Sequence, residues 1–383
     1  MTENIIKENL HTQKSILSLD YQAIKNKEKL LDLLKQCTHL EFLSLAGNQL
    51  KNISFLSGLP QLQELNLANN HIQDLSALKQ VKQLQRIDVS RNQIQDLGPI
   101  KNLQNLKSLD AWGNQINDIS VVKNLPQLER FDFSENKVQD ISSLPDLPAL
   151  KKLYLRSNPV SQTLPYITGL KNLKELSIGV NGIKEYSFLA EMVQLTALYI
   201  NNIKIQDFTF LQALTKLERL EIGSNKLANI EVVQHLTQLK HLVLSDNKIQ
   251  DIEPLTALTK LVYLDIWKNQ IQDISSLQNL TKLKHLDLRS NPLQNFQALK
   301  KLGDLEYIGF NSGDLVYPPV WYVCLKTKQG KLCEYNHLPE LPKGEQIWKL
   351  LQTYDETNIR LAQQLALGQG WTIEDFDMYK NLL

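Results

Sequence analysis

The sequence LEFLSLAGNQL at residues 40–50 contains the pattern that decides the fold, because the same spacing of leucine and asparagine returns through most of the chain. Numbered one to eleven, its template is L-x-x-L-x-L-x-x-N-x-L, with Leu, Ile or Val at the last position. Thirteen units fit this template, and they begin at Leu40, Leu62, Leu84, Leu106, Leu128, Leu150, Leu173, Leu195, Leu217, Leu239, Leu261, Leu283 and Leu305. Every step is 22 residues, except the step of 23 from Leu150 to Leu173. The chain is therefore an array of repeats without a single growing core.

The template assigns a physical task to each part of the unit. The L-x-L alternation predicts a short strand with one buried face, and stacked units pair these strands in parallel at about 4.8 Å. The asparagine amide offers donors and an acceptor to backbone groups in the bend. A recurring aspartate, such as Asp74, can cap the helical turn that follows. Apolar pairs three residues apart, such as Leu56 and Leu59, favour a 3₁₀ turn. One unit cannot bury its own apolar face, so stacking stabilises the array.

With thirteen units in register, the chain resembles the leucine-rich repeat family in its 22-residue class. The resemblance covers about residues 17–315. It implies an α/β fold, a solenoid with a curved parallel sheet on the concave face and short 3₁₀ or helical turns on the convex face. The repeats are similar to those of two kinds of protein, the intracellular regulatory subunits of protein phosphatase and the secreted bacterial internalins. The N-x-I-x-D-I phrasing resembles the internalins, and we expect a bacterial protein.

The two ends of the chain depart from the repeat, and we expect three regions. Residues 1–39 form an N-terminal cap, with a degenerate repeat at Leu17 and a helix within 25–37 that packs Cys37. Residues 40–315 hold the thirteen repeats. Residues 316–383 read as a β-hairpin followed by short helices, either a cap or a small module. In this hairpin Cys324 lies opposite Cys333, as a disulfide or as a reduced pair.

Two features predict a local irregularity at residues 160–205. The 23-residue step falls here, and the next unit has Ile203 where the template has asparagine. Both a functional kink and neutral drift of the repeat are compatible with this departure.

Composition excludes some classes of function. Among 383 residues, 42 Lys and Arg face 41 Asp and Glu, so the formal net charge is +1. This balance argues against broad attraction to nucleic acid or to anionic membrane. We see no apolar signal segment and no run long enough to span a bilayer. Three cysteines are too few for a disulfide scaffold, so we expect a cytoplasmic protein, or a secreted one whose signal peptide has been removed.

The sequence contains no recognisable catalytic motif. Phosphate-binding glycine loops, HExxH, paired CxxC and GxSxG are missing from the sequence. His241 and His285 share one column of the sheet with Tyr263 between them, roughly 10 Å apart, which does not make a metal site. We therefore expect a protein that is not an enzyme and that uses no cofactor or metal.

The outward positions of the strand, three, five and seven, are expected to have no folding task, so large side chains there indicate binding. Two clusters result. The Trp112 cluster comprises Asp110, Trp112, Arg130, Asp132, Tyr154 and Arg156, and the Trp267 cluster comprises Tyr263, Asp265, Trp267, His285, Asp287 and Arg289. Tyr199 is a further candidate. Position five also contributes Asp88 and Glu221, which predicts an acidic line edged by arginine and aromatic rings.

The sequence therefore predicts a non-catalytic scaffold that binds a protein or peptide on its concave face. We expect a monomer that binds neither nucleic acid nor membrane. Two alternatives remain open. One is a secreted internalin-like adhesin that binds a host receptor, and the other is an enzyme or regulatory module within residues 316–383.

Overall fold

The computed structural model describes residues 2–309, apart from 25–27, 184, 206, 295 and 296. The predicted hairpin with Cys324 and Cys333, and the helices after it, lie outside these described residues. The chain divides into two compact units, Met1–Lys216 and Leu217–Leu383. None of the helices in the described part of the chain is long and apolar enough to span a membrane.

The first unit begins with two α-helices, α1 (Thr2–Thr12) and α2 (Glu28–Lys35). Helix α2 lies within the span 25–37 where a cap helix is predicted, and its Leu34 is fully buried, as is Cys37. Burial raises the pKa of the Cys37 thiol to about 11, so this cysteine packs as a small apolar side chain. Helix α1 was not predicted, because few apolar residues mark its buried side; Ile6 nevertheless has no exposed surface.

Nine parallel strands of three residues each follow the repeat in the first unit. They are β1 (Ile16–Ser18), β2 (Phe42–Ser44), β3 (Glu64–Asn66), β4 (Arg86–Asp88), β5 (Ser108–Asp110), β6 (Arg130–Asp132), β7 (Lys152–Tyr154), β8 (Glu175–Ser177) and β9 (Ala197–Tyr199). Strand β1 lies at the predicted degenerate repeat, and its Leu17 pairs with Leu43 of β2. Each strand buries its middle residue, at template position four, and turns positions three and five to the other side.

Short 3₁₀ helices alternate with the strands of the first unit, as the apolar spacing predicts. They are Ser54–Gly58, Ser76–Gln80, Gly98–Ile100, Ser120–Asn124, Leu144–Asp146, Leu164–Gly169, Ser187–Glu191 and Thr209–Ala213. The recurring aspartate lies two residues before the helix and accepts the first helical N–H, as Asp74 Oδ1 does from Ser76 at 2.7 Å. This confirms the predicted cap.

The second unit repeats the same pattern over its described residues. Its parallel strands are β10 (Arg219–Glu221), β11 (His241–Val243), β12 (Tyr263–Asp265), β13 (His285–Asp287) and β14 (Tyr307–Gly309). Its 3₁₀ helices are Glu231–His235, Glu253–Ala257, Ser275–Asn279 and Gln297–Lys301. The core is again the template leucines, of which Leu242, Leu264 and Leu286 have no exposed surface.

In the repeats that have the template asparagine, a ladder of these buried side chains connects the repeat to the one before it. Asn136 shows the pattern, because its Nδ2 donates to Ala111 O, Phe133 O and Ser134 O at 2.9–3.1 Å. Its Oδ1 accepts the Ile116 N–H of the preceding unit at 2.9 Å. The same side chain is buried at Asn48, Asn70, Asn92, Asn114, Asn158, Asn181, Asn225, Asn247, Asn269 and Asn291. The amide thus satisfies backbone groups that no strand or helix pairs.

The 23-residue step leaves the sheet register intact. Lys152 of β7 pairs with Glu175 of β8, so the strands continue in parallel while the turn takes up the extra residue. That turn contains the longest 3₁₀ helix described, Leu164–Gly169. The predicted irregularity shows as a defect in the ladder, since Asn181 Nδ2 has no hydrogen-bond partner among the described residues. The local cost of this defect is confined to the bend, away from the strands.

We expect the Asn136→Asp variant to lower the free energy of unfolding by about 3 kcal/mol, because the new carboxylate oxygen would face three carbonyl oxygens. The shape of the side chain is unchanged, so packing does not explain the loss. Urea unfolding followed by circular dichroism measures it. The exposed Asn117→Asp is the matched control, with an expected change within about 0.5 kcal/mol. Equal effects of the two substitutions would contradict the role of the ladder.

Template position eight adopts a left-handed backbone, and Val180 occupies it with φ 54°. A β-branched residue is strained there, whereas glycine is not. We therefore expect Val180→Gly to raise the free energy of unfolding by about 1 kcal/mol. Val193, similarly exposed but outside the left-handed region, serves as the control, and its replacement by glycine should destabilise the protein.

Candidate functional site

The strand face is the outward side of each sheet, formed by template positions three, five and seven. Position four is buried beneath it, so neighbouring strands bring their position-three and position-five side chains side by side, about 5 Å apart. The parallel register places Asp110 beside Asp132 and Asp265 beside Asp287. The two predicted clusters lie on this face, the Trp112 cluster in the first unit and the Trp267 cluster in the second.

Arg130 is the centre of the Trp112 cluster. Its guanidinium lies 2.7 Å from Asp110, 3.8 Å from Asp132 and 4.4 Å above the ring of Tyr154. Trp112 carries a second guanidinium, because Arg91 lies 4.4 Å above its ring. These are charge-assisted and cation–π contacts between neighbouring repeats.

Burial changes the acidity of the carboxyls in this cluster. It raises the pKa of Asp132 above the ordinary 3.8, although the Ser134 N–H donates to this carboxylate. Burial likewise raises the pKa of Asp110, against the opposing effect of Arg130. Burial therefore disfavours the ionised forms of both carboxyls, although Arg130 lies beside them.

Tyr154 and Tyr199 meet on Glu175, at the far side of the Trp112 cluster. The Tyr154 hydroxyl donates to Glu175 Oε1 at 2.5 Å, and the Tyr199 hydroxyl donates to the same oxygen at 3.1 Å. Lys152 Nζ lies 2.9 Å from Glu175 Oε2. Burial alone would raise the pKa of Glu175, but these hydrogen bonds outweigh it and lower the pKa below 4.5. This corner of the strand face is held in one arrangement before any partner binds.

A column of four stacked rings runs along position three of the second unit. His241, Tyr263, His285 and Tyr307 follow one another with centroids 4.0, 4.1 and 4.2 Å apart and nearly parallel planes. Burial lowers the pKa of His285 below 6.5, so its imidazole is neutral near neutral pH. The column is a continuous row of stacked aromatic rings beside the acids of position five.

The acids and Trp267 lie next to this column. Asp287 holds Arg289 through both of its oxygens, at 2.5–3.0 Å. Burial raises the pKa of Asp265, which accepts the Trp267 N–H at 2.9 Å. The Trp267 side chain is exposed, with 36% of its residue surface accessible.

Position five also has a folding task, which corrects the expectation that the outward positions have none. Asp88, Asp132, Asp265 and Asp287 each accept the N–H two residues ahead, at 2.9–3.1 Å, where the strand ends. Asn66 makes the same bond to Ala68, so the turn needs an oxygen but not a charge. The hydrogen bond of the turn therefore explains the oxygen acceptor at position five but does not explain its negative charge.

Repeat models agree with this architecture. Residues 38–80, 82–124, 215–257, 237–279 and 259–301 match the model described as leucine-rich repeats (2 copies), and residues 104–160 match the model described as leucine-rich repeat. Together these matches cover more than half of the chain. The chain belongs to the leucine-rich repeat family. Proteins of this family are generally non-catalytic interaction modules.

Solved leucine-rich repeat structures are similar over most of the chain. An internalin from Listeria monocytogenes is 30% identical, with a TM-score of 0.65, and the match covers 79% of this chain and 88% of the internalin. A leucine-rich repeat protein from Leptospira interrogans is 22% identical, with a TM-score of 0.60 and coverage of 81% and 93%. The second likeness shows the fold alone. These neighbours agree with the predicted bacterial origin, and no curated protein matches the chain.

Sequence reasoning missed two members of the Trp112 cluster, Arg91 and Glu175. Arg91 lies at position eight, outside the three positions considered, and the left-handed backbone there turns it onto the next repeat. Glu175 lies at position three, and only its two tyrosine neighbours make it notable. The predicted Arg156 is exposed, and it forms no ion pair within the described residues. Among those residues, no three His, Cys, Asp or Glu side chains are grouped to hold a metal ion.

We expect Asp132→Asn to raise the free energy of unfolding at pH 7 by up to about 1 kcal/mol. The folded pKa of Asp132 is raised, so its ionised form costs stability above that pKa. Asparagine keeps the turn, as Asn66 does. The gain should vanish as the pH falls below 3.8, the value that applies to the unfolded chain.

Asp140→Asn is the opposing control in the same urea experiment. The Ser142 N–H lowers the folded pKa of Asp140, so its ionised form stabilises the protein above 3.8 and the benefit is lost in acid. This variant should be less stable than the wild type at pH 7. Identical pH profiles for the two variants would contradict the assignment of burial at Asp132.

Proposed function

We propose that this leucine-rich repeat protein is a non-catalytic scaffold that binds a protein or peptide partner on its strand face, as a monomer. The observation that carries the proposal is the Trp112 cluster. It gathers Trp, Tyr and Arg side chains, the types that dominate interface hot spots, around the carboxylates of Asp110 and Asp132. The family supports an interaction module in general.

The chemistry of the face favours one class of partner. Burial raises the pKa of Asp110, Asp132 and Asp265, so it disfavours the ionised form of each carboxyl. A partner with basic side chains would supply positive charge beside these carboxyls, and its apolar groups would cover the rings. A polyanion such as nucleic acid would meet the same acids unfavourably, so the proposed partner is a protein.

Preorganisation supports binding on this face. Glu175 fixes two tyrosine hydroxyls at once, and Arg130 is held by two carboxylates and one ring. Side chains that are already ordered lose little conformational entropy when a partner arrives. The strand face therefore combines fixed anchors with carboxylates whose ionised forms burial disfavours.

A secreted adhesin is the second candidate function. It is favoured by the 30% identity to the Listeria internalin across 88% of that chain. The two functions differ in location, because a scaffold would remain in the cytoplasm, whereas an adhesin would lie outside the cell. Fractionation of the source bacterium, with detection of the native protein in each fraction, separates them. An enzyme or regulatory module within residues 316–383 lies outside the described residues.

A photo-crosslinking amino acid tests the strand face directly. Placed at Ser134, inside the Trp112 cluster, it should capture a partner in the source organism, whereas at Lys123, on the 3₁₀ side, it should not. Trp112→Ala should lower the yield at Ser134 at least about tenfold, because hot-spot truncations cost about 2 kcal/mol or more.

Tyr166→Ala is the matched control for loss of an exposed ring, since Tyr166 is 54% exposed and belongs to the 3₁₀ helix Leu164–Gly169. This variant should crosslink like the wild type. Capture from Lys123 at the same yield, or capture unchanged by Trp112→Ala, would reject the strand face as the binding surface.

A further inference from the structure

Two closely similar sequences occur in the two clusters, seven repeats apart, with eight of eleven residues identical. Residues 110–120 read DAWGNQINDIS, and residues 265–275 read DIWKNQIQDIS. Each places an aspartate at position five and a tryptophan at position seven of one strand face. The two sites are therefore the same acid–aromatic arrangement, built twice on one backbone geometry.

In the first unit this arrangement is occupied by the protein's own arginines. Arg91, at position eight of the preceding repeat, lies 4.4 Å above the Trp112 ring. Arg130, at position three of the following repeat, lies 2.7 Å from Asp110. The aspartate and the tryptophan each hold a guanidinium, so the repeat geometry shows where such a group fits.

The second unit has other residues at both of those places. The residue equivalent to Arg91 is Asp246, which pairs with Lys268 at 2.7 Å. The residue equivalent to Arg130 is His285, whose ring is stacked between Tyr263 and Tyr307. The second unit therefore has Asp246 and His285 at the two positions where the first unit has arginines.

The cations that remain near this site are already engaged. Arg289 acts on Asp265 only at long range, because Asp287 binds its guanidinium through both oxygens. Lys268 Nζ lies 5.7 Å from the centroid of the Trp267 ring, near the outer limit of a cation–π contact, and Asp246 holds it. The Trp267 side chain is correspondingly exposed.

We propose that Asp265 and Trp267 form an open receptor for an arginine side chain of the partner protein. This inference rests on the proposed function and names the group that the strand face recognises in the second unit. Arginine is the expected residue, because its planar guanidinium stacks on an aromatic ring while donating to a carboxylate, which a lysine ammonium does less well. In the first unit, Arg91 makes the ring contact with Trp112 and a separate side chain, Arg130, makes the carboxylate contact with Asp110.

A peptide with one arginine flanked by glycines, blocked at both ends, is the probe. The protein is labelled with 5-fluorotryptophan, which gives one ¹⁹F signal for each of its five tryptophans, assigned by single Trp→Phe variants. We expect a saturable shift of the Trp267 signal and an unchanged Trp112 signal. The same peptide with citrulline, neutral and nearly isosteric, should bind at least about fivefold more weakly, and the lysine peptide should also be weaker.

Variants that exchange the internal cations give the sharpest test. Asp246→Arg introduces the residue that occupies the equivalent position 91 of the first unit. The two positions share a left-handed backbone, with φ 54° at Asp246 and 51° at Arg91. This variant should place a guanidinium on Trp267 and weaken the arginine peptide at least about fivefold. Arg91→Ala should do the opposite in the first unit, so that the Trp112 signal begins to respond.

Asp265→Asn keeps the hydrogen bond to the Trp267 N–H but removes the charge, and should also weaken the probe at least about fivefold. Asp251→Asn, which removes a carboxylate beside a 3₁₀ helix of the same unit, should leave affinity unchanged. An unchanged Trp267 signal, equal binding of citrulline or lysine, or equal effects of Asp265→Asn and Asp251→Asn would overturn the proposal. Capture from Ser134 alongside any of these results would leave the scaffold function standing and reject only the arginine receptor.

Discussion

The buried asparagine amide is the interaction on which the rest of the structure depends. A three-residue strand pairs few backbone groups, so the bend after it would bury unpaired carbonyl and amide groups in every repeat. One side chain solves this, as Asn136 does by joining its own bend to the preceding repeat. Because the amide reaches both repeats, it also fixes the stacking distance, and the leucines of position four meet in register. The amide lies in the bend beyond the end of the strand, so it links neighbouring repeats without occupying the strand face.

The aspartates of the acidic line contribute in two separate ways, through an oxygen atom and through a charge. The oxygen of each aspartate closes the turn at the end of the strand, a task that Asn66 performs equally well. The charge is a separate property, and burial opposes it, as the raised pKa of Asp132 shows. The ionised form of Asp132 therefore carries a cost in stability. Such local costs are typical of functional surfaces, where stability and activity compete.

The fold could be predicted from the sequence because thirteen repeats share one template of leucine and asparagine positions. The strands, the 3₁₀ helices and the buried asparagines follow from period and residue type alone. The contacts between side chains of the site are harder to predict from the sequence, because they depend on the backbone conformation between repeats. Arg91 reaches Trp112 only because position eight is left-handed, and Glu175 matters only because two tyrosines from different repeats converge on it. Helix α1 was missed since its buried side is short and mostly polar.

The ring column explains why the two units of one repeat array present different surfaces. Position three carries Arg130 and Lys152 in the first unit, and these cations pair with Asp110 and Glu175. In the second unit the same position carries rings that stack on each other, since successive repeats bring them to a centroid distance near 4 Å. Rings that satisfy one another cannot neutralise the neighbouring acids. Asp110 is paired with Arg130 inside the first unit, whereas the receptor proposed at Asp265 would take its cation from the partner.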